Sequence, residues 1–122
     1  NIPLGIPGFK DNKRYVFLQK EEMVPFLLFQ SMENPDLSFV VLDPVQFFPE
    51  YTIEKEDIEK LVDWNLEGDE ISCFVIVTIP QGTPEKMTAN FMAPLVINNN
   101  RKEGLQLILQ NSSYSHQHQL LK

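Results

Sequence analysis

An almost unbroken apolar stretch, residues Ile71–Ile79, places the strongest constraint on how this chain can fold. Its side chains are mostly β-branched or aromatic, a composition that favours a strand. Such a strand has no polar face to turn toward water, so it must be covered on both sides. We therefore predict that this strand and the alternating leucines further along build the core: Phe74, Val75, Ile76, Val77, Leu105, Leu107 and Leu109.

Five further segments carry the apolar patterns of short strands, and turn-forming residues bound them. These segments are Arg14–Gln19, Phe26–Met32, Ser38–Leu42, Phe91–Ile97 and Leu105–Gln110. Residues 34–36 predict the turn of a hairpin, and Pro44 ends the returning strand because proline has no N–H for a ladder. Pro94 predicts an edge position or a bulge for the strand that contains it.

One segment, Glu54–Trp64, shows helical periodicity, with Ile58, Leu61 and Val62 on a single apolar stripe and Thr52 as the predicted N-cap. About six short strands and one helix predict an all-β, mainly antiparallel fold, namely a small closed or nearly closed β-barrel with one short helix. We expect one domain over residues 1–122, with an N-terminal segment missing before it because the chain does not begin with Met. Residues 111–122 lack periodicity and are predicted to form a tail.

The charge of the chain is concentrated in one segment. Residues 50–70, the acidic segment, hold nine acidic residues and two lysines, and so carry the full net charge of −7. A local acidic patch repels phosphate backbones and attracts basic proteins. The same pattern is also typical of a solvated helix face that only keeps a protein soluble, and the sequence leaves both interpretations open.

Candidates for catalysis or metal binding are few and isolated. His116 and His118 would share one side of an extended segment, but no cysteine or acidic cluster accompanies them as in a zinc site. Cys73, the only cysteine, lies in the most apolar strand, where a thiol is usually inert. The serines near His116 lack the ordered base and orienting group of a catalytic triad. We therefore expect no enzymatic activity, no metal and no cofactor.

Two local features are candidate binding positions. Phe47 and Phe48 are adjacent, so one is expected in the core and the other on the surface as an interface anchor. Asn34 and Asp36 are expected to stabilise their turn first, although a hairpin tip is also a common contact point. The candidate contacts with a basic partner in the acidic segment are Glu50, Glu54, Asp57 and Glu67.

Three separated stretches identify a family. Residues 5–9 have the sequence GIPGF, residues 30–51 contain QSMENPDL, FVVLDP and FFPEY, and residues 87–98 have the sequence MTANFMAPLVIN. In this order they resemble the FliW family of bacterial flagellar assembly factors, over nearly the whole chain. Residues 54–70 are less similar to the family and more charged than their flanks, and family members usually have a strand before the first stretch.

The resemblance implies a function and two partners. Members of this family are cytoplasmic, non-enzymatic, chaperone-like factors that bind flagellin before its export. They alternatively bind CsrA, a basic dimeric RNA-binding protein that represses translation of flagellin messenger RNA. When flagellin is exported, the freed factor binds the repressor and relieves the repression. We expect no direct contact with nucleic acid, because the acidic segment repels phosphate, and none with a membrane, because no apolar stretch approaches the roughly 20 residues of a span. We expect a monomer when the protein is free.

The residues alone also support an interpretation from another class. A small β-barrel with nine phenylalanines could offer stacking surfaces to single-stranded nucleic acid, or bind a small ligand. A nucleic-acid-binding barrel also needs a basic groove, and the longest basic cluster of the chain is Arg101–Lys102.

Overall fold

The computed structural model describes residues 2, 5–6, 9, 11–79, 82–109, 114 and 117–120. Its strands are β1 Tyr15–Leu18, β2 Leu27–Ser31, β3 Ser38–Leu42, β4 Ile71–Thr78, β5 Thr88–Ala89, β6 Leu95–Asn98, β7 Glu103–Gln106 and β8 His118–Gln119. The α-helix, α1, spans Lys55–Glu59, and 3-10 helices span Glu21–Met23, Pro44–Gln46 and Pro84–Lys86.

The strands form one branched antiparallel sheet in the order β1-β2-β3-β4-β5-β8, with β6 on β4 and β7 on β6. Strand β4 lies at the branch. Residues 71–74 pair with β6, whereas residues 75–77 pair with β3 and residues 77–78 pair with β5. The sheet curls into a half-barrel with one short helix, so the predicted all-β, mainly antiparallel fold is confirmed.

Both faces of β4 are covered, as the sequence predicted. Val75 and Val77 are buried in one apolar cluster, while the half-buried Phe74 and Ile76 pack against a second cluster around Leu95. The first cluster also contains the three predicted core leucines, Leu105, Leu107 and Leu109. Because neighbouring side chains of a strand point to opposite faces, a continuous apolar sequence is what this position requires.

The predicted helix is too long. α1 covers only Lys55–Glu59, and its N-cap is Glu54 rather than Thr52. Beyond the helix, the side chain of Trp64 is buried, and its Nε1–H donates to Glu103 Oε1 at 3.2 Å. Leu61, expected on the apolar stripe, is 50% exposed. A helix this short depends on packing rather than on helix propensity.

The prediction of an edge strand or bulge at Pro94 is wrong. β6 begins one residue later, at Leu95, and lies between β4 and β7. Proline is tolerated just before a central strand because no ladder N–H is needed there. Its carbonyl still accepts from the Leu107 N–H at 2.8 Å, and Leu109 N–H donates to Met92 O at 2.8 Å, so the β6–β7 pairing continues past both strands.

Part of the predicted tail contacts the sheet. Within residues 111–122, β8 pairs with β5, and Tyr114 and Leu120 pack against the first apolar cluster. The sequence shows no periodicity there because the contacts come from two isolated side chains and a strand of two residues. His116 lies outside the described residues.

We expect Leu42→Ala to lower the free energy of unfolding by about 2–5 kcal/mol, since it leaves a cavity in a packed core. Leu42 is 0% exposed and pairs with Val75 across the β3–β4 ladder. The matched control is Leu61→Ala, at a half-exposed position, with an expected change within about 0.5 kcal/mol. Urea unfolding measures both, and equal effects would contradict this account of the core.

Candidate partner-binding surface

The surface begins where β3 ends. Asp43 Oδ1 accepts from the Val45 N–H at 3.1 Å and caps the 3-10 helix Pro44–Gln46. The ladder with β4 ends at Leu42, and the turn that follows places Phe47 and Phe48 in different environments. Phe47 is 39% exposed, whereas Phe48 packs against the core. The expectation that one ring is inside and one outside is confirmed, and the structure decides which.

An aromatic cluster holds Phe48 and the start of the acidic segment. The ring of Phe48 lies 5.8 Å from that of Phe91 and 5.7 Å from that of Tyr114, between centroids. Tyr51 is 5% exposed, and its hydroxyl donates to Phe91 O at 2.5 Å. Burial is the main reason that the pKa of Tyr51 is raised, so its hydroxyl stays a donor. Thr52 N–H donates to Tyr114 Oη at 3.2 Å, which fixes the chain as it leaves the cluster.

The remainder of the acidic segment is fastened to the β6–β7 hairpin. Besides the Trp64–Glu103 hydrogen bond, Arg101 Nη1 lies 3.0 Å from Asp63 Oδ1. Asn98 Nδ2 donates to Asp69 Oδ2 at 2.8 Å. The acidic residues in these contacts, Asp63, Asp69 and Glu103, are not among the predicted binding positions.

The predicted acidic contacts remain available on the outside. Glu50, Glu54 and Glu67 are exposed, and Asp57 is half-buried on α1. Because the segment is anchored by Tyr51 and by the residues that bond the hairpin, these carboxylates stand on an ordered surface rather than on a loose loop. An ordered, acidic surface with an exposed aromatic ring beside it suits a basic protein partner.

A buried asparagine organises the hairpin that receives the segment. Asn98 is 0% exposed, and its Oδ1 accepts from the N–H groups of Asn100 and Arg101 at 3.0 and 3.1 Å. Lys102 then adopts a positive φ of 55°. Sequence reasoning missed the role of Asn98. An asparagine directly after an apolar strand is the signal that could have indicated it.

A groove of about 480 Å³ runs between the acidic segment and the first half of β4. Ile53, Ile58 and Leu66 line one wall, and Ile71 and Cys73 line the other. The groove therefore has apolar walls, although the acidic segment supplies one of them.

The polar groups of the groove are few. Asp43 and Lys55 line it together with the thiol-bearing Cys73. Burial, with a smaller contribution from Asp43, raises the pKa of the Cys73 thiol to about 12. The thiol is therefore protonated at neutral pH, a poor state for a nucleophile, which supports its interpretation as a packing residue.

The hairpin tip does not belong to this surface. Asn34 Oδ1 accepts from the Asp36 N–H at 3.0 Å, and Asn34 O accepts from the Leu37 N–H at 3.1 Å, so Asn34 stabilises its own turn. The five residues of β3 lie between this turn and Asp43. At about 3.4 Å per residue, the six steps from Leu37 to Asp43 separate the two ends by roughly 20 Å. The candidates thus fall into two groups at opposite ends of β3.

Sequence reasoning missed the polar network behind that turn. Ser31 is buried, and its Oγ accepts from the N–H groups of Glu33 and Asn34 at 3.1 and 3.0 Å. Glu33 Oε1 accepts from the N–H groups of Lys13 and Arg14 at 2.6 and 3.0 Å. These two backbone bonds, that from Arg14 first, hold the pKa of Glu33 below its usual range. The carboxylate ties the hairpin to the chain entering β1.

Neither a metal site nor a membrane span is found in the part of the chain that the structure describes. No group of three His, Cys, Asp or Glu side chains there is placed to hold a metal ion. No described helix is long and apolar enough to cross a membrane.

Comparison with known proteins identifies the family. The sequence model described as FliW protein matches residues 1–120. The chain belongs to the FliW family. This confirms the resemblance seen in the three sequence stretches.

The similar proteins in this family share a name. The flagellar assembly factor FliW of Syntrophomonas wolfei is 42% identical over 123 residues, covering 99% of this chain and 77% of that protein. The flagellar assembly factor FliW of Caldanaerobacter subterraneus is 40% identical over 119 residues, covering 97% and 79%. A crystal structure of the flagellar assembly factor FliW superposes with a TM-score of 0.84 at 35% identity, covering 100% of this chain and 84% of that chain.

Membership of the FliW family agrees with the composition of this surface. The relatives are named as assembly factors, a non-enzymatic role. The ordered elements described above bring together aromatic rings, apolar walls and exposed carboxylates, which are the components of a protein-binding surface.

Glu33→Gln should lower stability in a pH-dependent way. Because the folded pKa lies below the ordinary 4.5, the carboxylate stabilises the fold fully above that value and loses this effect as pH falls through the folded pKa. We therefore expect the variant to be less stable than the parent at about pH 7, and this deficit to become smaller near pH 3. Urea unfolding at both pH values measures this. Glu22→Gln, at an exposed position, is the control, and a deficit of Glu33→Gln that is undiminished in acid would contradict the prediction.

Proposed function

We propose that this protein is a cytoplasmic, non-enzymatic flagellar assembly factor that binds flagellin before export and binds the repressor CsrA when flagellin is absent. The observation that carries the proposal is the similarity to relatives named flagellar assembly factor FliW, at 42% and 40% identity over nearly the whole chain. The protein would bind flagellin and CsrA alternately, so that flagellin export is coupled to flagellin synthesis.

The charge of the surface supports the second partner. CsrA binds RNA and must therefore carry a basic surface. The acidic segment carries the full net charge of −7 and presents Glu50, Glu54 and Glu67 to solvent. Complementary charge of this kind contributes mainly to the rate of association and to specificity.

Phe47 supplies the apolar part of the same surface. It is 39% exposed, while its neighbour Phe48 is packed between other aromatic rings. A partly exposed aromatic ring on a fixed backbone loses little conformational freedom on binding, and such rings are common interface hot spots.

Direct binding of nucleic acid is the less favoured alternative. Of the basic pair Arg101–Lys102, Arg101 lies 3.0 Å from Asp63 and 3.8 Å from Glu103. Carboxylates this close compete with a phosphate for the guanidinium. Measured affinity of the isolated protein for flagellin-leader RNA separates the two functions, and tight binding to that RNA would favour the alternative.

The direct test is a titration of the protein with purified flagellin and with purified CsrA from the same bacterium. We expect binding to each partner alone and competition when both are present. Failure to bind either partner would overturn the proposal.

Reversing two charges should slow association with CsrA. The double variant Glu50→Lys/Glu54→Lys is expected to lower the association rate constant about tenfold and to flatten its dependence on salt, since long-range attraction dominates that rate. Flagellin binding should change less. Stopped-flow or biosensor kinetics between about 50 and 500 mM salt cover a roughly threefold change in Debye length.

The matched control is Glu21→Lys/Glu22→Lys, which reverses two exposed acids of the 3-10 helix Glu21–Met23 outside the acidic segment. It should leave the association rate with CsrA nearly unchanged. If both double variants behave alike, or if salt has no effect on the wild type, the acidic segment is only a solubility face.

The adjacent phenylalanines should separate binding from stability. Phe47→Ala is expected to weaken partner binding by more than about 1 kcal/mol with little change in unfolding free energy. Phe48→Ala should instead lower the free energy of unfolding by up to about 3–5 kcal/mol, the range for a fully buried phenylalanine, because that ring is partly buried. Calorimetric titration and urea unfolding measure the two effects. Unchanged binding by Phe47→Ala would remove this ring from the interface.

A further inference from the structure

Successive residues of β4 direct their backbone hydrogen-bonding groups to alternate edges of the strand. Ile76 O accepts from the Asn90 N–H at 2.9 Å, and Glu70 O, just before the strand, accepts from the Asn99 N–H at 2.9 Å. In an antiparallel strand, the N–H and C=O groups of one residue point to the same edge, and those of the next residue point to the opposite edge. Even-numbered residues therefore face β5 and β6, and odd-numbered residues face the edge where β3 lies.

Strand β3 covers only the second half of that edge. Its pairing with β4 runs from Val40 opposite Val77 to Leu42 opposite Val75. The next odd-numbered position, Cys73, would face Pro44, which has no N–H and already begins a 3-10 helix. The odd-numbered backbone groups of residues 71–74 thus point past the end of β3.

The groove of about 480 Å³ lies along this stretch, and Ile71, Ser72, Cys73 and Phe74 all line it. Its volume is within the usual range of ligand sites. The opposite wall is apolar and comes from the acidic segment, through Ile53 and Leu66. Among the described residues, a strand edge that β3 does not cover and an apolar wall therefore face each other across one groove.

We infer that the edge of β4 at residues 71–74 accepts an extended, basic segment of a protein partner as an added strand. The inference rests on the proposed function, in that the segment belongs to a partner of the acidic surface. The N–H and C=O groups of Ile71 and Cys73 pair with the peptide backbone, and an apolar side chain of the peptide enters the groove. Strand addition gives affinity through main-chain hydrogen bonds and specificity through alternate side chains.

Charge argues for a basic occupant. Asp43 and Lys55 line the groove, and the acidic segment that forms its wall has seven more acids than lysines. A peptide with lysine at its ends approaches this wall favourably, whereas an acidic peptide is repelled. Main-chain pairing itself selects an extended peptide rather than a helix, because a helix uses its backbone groups internally.

The probe is a synthetic peptide of about seven residues, alternating valine and threonine with a lysine at each end, a length that suits one strand. Amide hydrogen exchange is followed by NMR on the whole chain. In the free protein the amides of Ile71 and Cys73 should exchange faster than those of Ser72 and Phe74, which face β6. The peptide should slow exchange at Ile71 and Cys73 and leave the other two unchanged.

Two N-methylated versions of the peptide test pairing without altering the protein. Methylation of alternate nitrogens blocks one edge of the peptide, and methylation of the others blocks the opposite edge. We expect one version to lose at least about tenfold in affinity through its missing hydrogen bonds, while the other keeps its affinity. Equal effects of both versions would overturn strand addition.

Charge is tested on both molecules. Glutamate in place of the terminal lysines should weaken binding about threefold to tenfold. Lys55→Glu should strengthen binding of the lysine peptide about twofold to fivefold, whereas Lys60→Glu, at an exposed position beyond α1, should not. Stronger binding of the glutamate peptide would overturn the basic occupant.

The outcomes separate this inference from the proposed function. If the wild type binds flagellin or CsrA but the amides of Ile71 and Cys73 respond to neither partner nor peptide, the inference fails and the function stands. If the peptide protects both amides but neither partner binds, the function fails. Protection in the free protein that rises with protein concentration would assign the edge to a second copy of this chain, and would overturn a partner segment as its occupant.

Discussion

The missing N–H of Pro44 is the constraint on which most of this surface depends. A residue with an N–H at this position could continue β3 along the whole of β4, and the sheet edge would then be filled. With proline there, the ladder stops at Leu42, and Asp43 caps a 3-10 turn in its place. The same turn directs Phe48 inward and Phe47 outward, and it sets where the acidic segment begins. The missing N–H of this one residue therefore affects the core, the exposed ring and the groove together.

The sequence predicted those features that depend on neighbours in the chain. Local patterns predicted the strand at the apolar run of β4 and the turn at residues 34–36. They also predicted that one ring of the pair Phe47 and Phe48 lies in the core and the other on the surface. Local patterns did not predict contacts between residues that are distant in sequence. The indole of Trp64, beyond the end of α1, bonds to Glu103 on another strand, and Tyr114 is held by rings from residues 48 and 51. Periodicity contains no information about partners so far away in sequence.

The candidate site was predictable in its chemistry but only partly in its geometry. Charge counting located the acidic segment, yet it could not show which carboxylates are bound to the hairpin, as Asp63 and Asp69 are, and which remain exposed. Nor could it show that Asn34 lies at the far end of β3 from Phe47. The groove depends on where β3 stops relative to β4, which is a property of register. Register is set by the whole sheet rather than by any one segment.

The indole of Trp64 gives this protein a built-in optical reporter. It is the only tryptophan of the chain, it is 7% exposed, and its N–H bonds to a carboxylate of the β6–β7 hairpin. All tryptophan emission therefore originates at the point where the acidic segment is fastened to the sheet. If a partner lifts the segment, the indole meets water and its emission moves to longer wavelength. If a partner binds the segment in place, the emission stays where it is, so a single spectrum distinguishes a rigid platform from one that rearranges.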